Sequence, residues 1–69
     1  MAENRTKLQR MLGADGITIA AVTVTIGAKQ PKTASQKVHG RVAFTLPEMR
    51  AIQRDYYPHM TLDEIFEGY

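Results

Sequence analysis

The sequence contains no cysteine and no tryptophan. The missing thiols rule out disulfides and any thiolate metal site, and they fit a reducing cytoplasm. Serine is nearly absent as well. Ser35 stands alone, with no glycine elbow around it to make a nucleophile. His39 and His59 lie 20 residues apart with no partner at an HxxxH-type spacing, which reads as surface or structural histidine and leaves no metal site. "GADG" lacks the length and the lysine of a phosphate loop. Long hydrophobic runs are missing too. The longest, "GITIAAVTVTIGA", has 13 residues, against roughly 20 for a membrane span. It follows Arg5, Lys7 and Arg10 as a secretory leader would, yet it lacks leucine, carries three threonines and is preceded by Asp15. These absences describe a non-enzymatic chain with no cofactor, no metal and no membrane contact. "NRT" at Asn4 matches a glycosylation acceptor, which has no meaning in the cytoplasm.

Acids are absent between Asp15 and Glu48, the span that holds Lys29, Lys32, Lys37 and Arg41. Residues 1–41 carry seven Lys/Arg and two acids, a balance of +5; residues 42–69 carry two Lys/Arg and five acids, a balance of −3. Such a division suggests an anionic partner for the first part, or head-to-tail association of two copies. Sixty-nine residues make one small domain, residues 1–69. A chain of this size buries only about 60% of the surface it exposes when unfolded, so a dimer or a larger partner would usefully add burial.

The apolar pattern then suggests elements. Residues 4–12 read as a short helix, with Leu8, Met11 and Leu12 on one face and Gly13 as its left-handed stop. Residues 17–26, "ITIAAVTVTI", are dense in β-branched side chains and read as a strand. The alternation changes phase between Ile17/Ile19 and Val22/Val24/Ile26, which a bulge near Ala20-Ala21 or burial on both faces would absorb. "GAKQPKTASQ" reads as a mobile basic loop, broken by Gly27 and Pro31. Residues 37–46 alternate as a second strand, with Val38, Val42, Phe44 and Leu46 inward and Lys37, His39, Arg41, Ala43 and Thr45 outward.

Two capping boxes follow. Thr45 with Glu48, and Pro47 in the first turn, open a helix bearing Met49, Ile52 and Tyr56 that stops at Pro58; Thr61 with Glu64 opens a last one bearing Leu62, Ile65 and Phe66. Asp63-Glu64 reads as favouring the positive end of that helix. The expected fold is α+β: a short N-terminal helix, an antiparallel β-hairpin and two C-terminal helices, in the order α-β-β-α-α.

On that fold two surfaces invite partners. The hairpin's outer face would gather Lys37, His39 and Arg41 beside Lys29 and Lys32, with Thr23 and Thr25 nearby, as a site for phosphates; charges on a solvated hairpin that discourage edge pairing account for the same residues. The strand that runs through "TLPE" into a helix, with a capped second helix beyond, is similar to the ribbon–helix–helix DNA-binding proteins over residues 40–69. That resemblance implies a strand shared between two chains, with Arg41, Ala43 and Thr45 as base readers. The sequence departs from it in the poor reader Ala43, in a last helix of about eight residues, and in the extra strand before it. The second surface is aromatic. Arg54, Tyr57, Met60, Phe66 and Tyr69 are residue types that suit a protein interface, and a solvent-facing cover for a thin core needs the same types.

The functional expectation is a small regulator or inhibitor that binds a larger protein or protein complex, by analogy with phage and plasmid accessory proteins. The alternative is a small dimeric DNA-binding transcriptional regulator using the basic ribbon.

Overall fold

Four of the chain's seven threonines stand at helix N-caps, where a β-branched residue adds no strand character. Thr6, Thr18, Thr45 and Thr61 each accept the backbone N–H of the residue three positions on, at 3.3, 3.1, 3.3 and 3.2 Å. Three of these form full capping boxes, with Gln9, Glu48 and Glu64 reaching back to the cap amide. A computed structural model describes residues 6–69. Its elements are α1 (Lys7–Ala14), α2 (Ile19–Ile26), α3 (Pro31–Val38), α4 (Leu46–Tyr56) and α5 (Leu62–Ile65). No strand occurs among the described residues.

The α+β expectation is therefore overturned, and the β-hairpin with it. Residues 17–26 form α2, because their apolar pattern has a helical solution that the strand reading missed. Ile19, Val22, Thr23 and Ile26 fall at i, i+3, i+4 and i+7, so the phase change that called for a bulge becomes one helix face. Thr23 and Thr25 turn their hydroxyls onto the carbonyls of Ile19 and Ala21, at 2.7 and 3.0 Å, which satisfies them inside the helix. The hairpin face on which Thr23 and Thr25 were to meet Lys37, His39 and Arg41 does not exist.

The expected basic loop contains α3. Pro31 opens that helix at its first position, where a missing N–H costs nothing, and Ala34 and Val38 form its buried i, i+4 face. The expected second strand dissolves into the end of α3 and an irregular link to Thr45, which also removes the shared strand of the ribbon–helix–helix resemblance. At the N-terminal end, the expected helix start at Asn4 lies outside the described residues, as do Arg5 and the "NRT" acceptor. Gly13 sits inside α1, and the left-handed glycine that follows it is Gly16. The two C-terminal helices stand where their capping boxes put them.

Every helix contributes to one core. Leu8 and Leu12 of α1, Val22 of α2, Ala34 and Val38 of α3, Ile52 of α4 and Ile65 of α5 are buried, with Phe66 at their edge. Burying a side chain of the Leu, Ile or Val type contributes about 1.5–3 kcal/mol, and half-buried side chains such as Ile19, Ile26, Met49 and Leu62 pack against these residues. Helix α2 packs against both α3 and α4, and α4 against α5. Two phenols tie elements distant in sequence. The Tyr56 hydroxyl meets Thr25 Oγ1 at 2.7 Å, joining α4 to α2. The Tyr69 hydroxyl donates to the carbonyl of Val38, the last residue of α3, and accepts from Thr6 Oγ1 at 2.9 Å.

Candidate nucleic-acid interface

Between α2 and α3 the chain reverses in four residues, 27–30. Gly27 ends α2 with φ 72° and ψ 23°, in the left-handed region that glycine enters without penalty. Its N–H and that of Ala28 donate back to the last turn of α2, the latter to Thr23 at 3.0 Å. Lys29 and Gln30 then lead to Pro31. Two eight-residue helices in contact, joined by a four-residue turn that contains glycine, have the order and spacing of a helix-turn-helix unit.

With Ala34 and Val38 turned into the core, the opposite side of α3 carries Lys32, Gln36 and His39 at i, i+4 and i+7. Lys29, Gln30, Lys32, His39 and Arg41 are exposed, and Thr33, Ser35 and Gln36 are half-buried. The side chains of Gln30 and Gln36 hydrogen-bond to nothing among the described residues. His39 Nδ1 lies 2.7 Å from the carbonyl of Ser35 and donates to it, leaving Nε2 as the ring's other polar atom. The whole unit falls within the span that contains no acid, so nothing on it repels a polyanion.

Of the five residues expected to bind an anion, the structure brings Lys29, Lys32, His39 and Arg41 to the surface of this one unit and its exit. Lys37 is engaged elsewhere. It pairs with the Glu48 carboxylate, and both side chains are largely covered, at 12% and 14% exposed. Burial raises the Glu48 pKa, but Lys37 and the Thr45 amide more than offset this and hold it below the usual carboxylate value. Gln30, Thr33 and Gln36 went unnoticed in the sequence. Their signal was available in the helical spacing of Ala34 and Val38 behind a proline placed as a first residue.

The five residues expected at a protein interface separate. Phe66 is buried in the core and Met60 packs against it. Tyr57 is half-buried and donates to Asp15 Oδ2 at 2.8 Å; burial and that carboxylate together raise its pKa. Arg54 is exposed and reaches its neighbour Asp55 at 3.0 Å. Tyr69 is partly open beside Phe44 and Phe66, with edge-on ring centroids at 5.6 and 6.0 Å. Among the described residues no three His, Asp or Glu side chains gather as metal ligands, and no helix is long and apolar enough to cross a membrane. No protein-family model, no curated protein and no solved structure matches this chain.

Proposed function

We propose that α2, the 27–30 turn and α3 form a DNA-binding unit, and that the protein is a small non-enzymatic transcriptional regulator acting as a pair of copies. The observation that carries this reading is the outward face of α3. It is a helix held by its neighbour across a four-residue turn, it turns Lys32, Gln36 and the His39 that caps it away from the core, and it lies in a span without acids. An α-helix fits the major groove, and the N-terminal part of a helix held this way is what reaches base edges. Lys32 and Gln36 are the base readers of this arrangement, a lysine suited to guanine and a glutamine to adenine. Lys29 and His39, at either end of α3, are placed for phosphates. The larger-protein reading has less support, because two of its five residues are occupied by the core.

Binding of the full chain to duplex DNA, followed by anisotropy across a salt series, tests the proposal. Affinity is expected to fall with salt at a log–log slope of several units, and a selected sequence is expected to bind much more tightly than arbitrary duplex. On that sequence Gln36→Ala should cost about 1–3 kcal/mol and relax preference at one position. Lys29→Ala should weaken all sequences alike and lower the salt slope by about one unit. Absence of binding at low salt sinks the reading.

A further inference from the structure

Ala34 and Val38 fix which side of α3 faces the core. At about 100° of turn per residue, positions 32 and 36 straddle the line opposite to that side. Lys32 and Gln36 are thus the two residues of the helix proper that point most directly away from the molecule. The helix carries one other cation, Lys37, and the Glu48 carboxylate holds it, which leaves Lys32 as the outward ammonium. Between positions 32 and 36 the helix rises about 6 Å, at 1.5 Å per residue. Nucleotides along one strand of a duplex are spaced about 3.4 Å apart along its axis, so the two side chains address positions about two steps apart.

Their hydrogen-bonding chemistry differs. An ammonium has donors only, whereas an amide has a donor beside an acceptor. In the major groove guanine offers two acceptors, O6 and N7, and adenine offers the acceptor N7 beside the donor N6. We propose that the DNA half-site selected by this protein holds a guanine and an adenine no more than two base-pair steps apart, the guanine read by Lys32 and the adenine by Gln36. The order follows the helix, with guanine toward the 27–30 turn and adenine toward His39. This assignment rests on α2 and α3 being a DNA-binding unit, and it goes further by fixing which bases that unit selects and how they are spaced.

Selection of the full chain against duplexes with a randomised centre, followed by sequencing of the bound pool, tests it. The bound sequences are expected to share that guanine and adenine. Lys32→Gln should move the first position from guanine to adenine and leave the second alone; Gln36→Lys should move the second from adenine to guanine and leave the first alone. Each swap should change the preference at its own position by about 5- to 150-fold, with helical circular dichroism unchanged. If a swap loses its helical signal, the unaltered chain decides on duplexes carrying deazaguanine or deazaadenine, which lack the N7 acceptor. Each analogue should weaken binding, and binding indifferent to either overturns the contact. A swap that changes both positions or neither overturns the proposal. A shared motif without the pair, or equal binding of all sequences, overturns it and leaves DNA binding standing. No binding to any duplex at low salt sinks both.

Discussion

Glu48 connects two elements through one carboxylate. Oε1 accepts the Thr45 amide at 2.8 Å and closes the capping box of α4, while Oε2 takes the Lys37 ammonium from the last turn of α3. The bond to Lys37 fixes the end of α3 against α4, which makes Glu48 a positioning residue for the face that carries Lys32 and Gln36. Its pKa is lowered in the folded chain, so its contribution is present above the usual carboxylate range and is lost as pH falls through the lowered value. Glu48→Gln is expected to cost about 1–2 kcal/mol at pH 7, through a weakened cap and an unpaired Lys37. The gap from the parent should narrow below about pH 4, where the parent's carboxylate also becomes protonated. Urea unfolding at both pH values measures this.

At the scale of elements, the turn at 27–30 decides whether α3 stands where it does. Gly27 has open space around the position of a Cβ, so a substitution there is opposed by its positive φ alone. Gly27→Ala is therefore expected to cost about 1 kcal/mol, with no loss of helix content and with weaker DNA binding at a given temperature. A thermal melt beside a binding isotherm checks both. The same stretch shows what the sequence made legible. α4 and α5 could be read because Thr45/Glu48 and Thr61/Glu64 are local signals, each resolved within one turn. α2 could not be read from propensity, since Val22, Thr23, Val24, Thr25 and Ile26 all favour strands. What outweighs them is tertiary contact with α3 and α4, together with two local signals, a threonine cap at 18 and a glycine stop at 27. Lys29 and Lys32 stand out in the sequence as anion-binding candidates because of the acid-free span, whatever element displays them. Lys37 was misplaced because a strand assigns every second residue to one face, whereas a helix turns position 37 toward Glu48.

For the whole molecule, the two ends of the described chain meet at Tyr69. Its hydroxyl joins the N-cap of α1 to the last carbonyl of α3, and its ring lies against Phe44 and Phe66. Burial raises its pKa, and the bond from Thr6 opposes this in part. Raised on folding, the group lends stability that is intact below the ordinary phenol value of 10.0 and is lost as pH climbs above it. Tyr69→Phe keeps the ring and leaves the Val38 carbonyl without its partner. A loss of about 1 kcal/mol is expected, together with a flatter alkaline stability profile, both read from denaturant titrations between pH 7 and pH 11.

That clasp also sets an order of events during synthesis. The carbonyl it captures is made 31 residues before the phenol, and the hydroxyl it receives 63 residues before. On the ribosome α3 thus leaves the exit tunnel ahead of both groups that fasten its final turn, first Glu48 for Lys37 and later Tyr69 for the Val38 carbonyl. The tie at the Val38 carbonyl can close only once the phenol of residue 69 has been made.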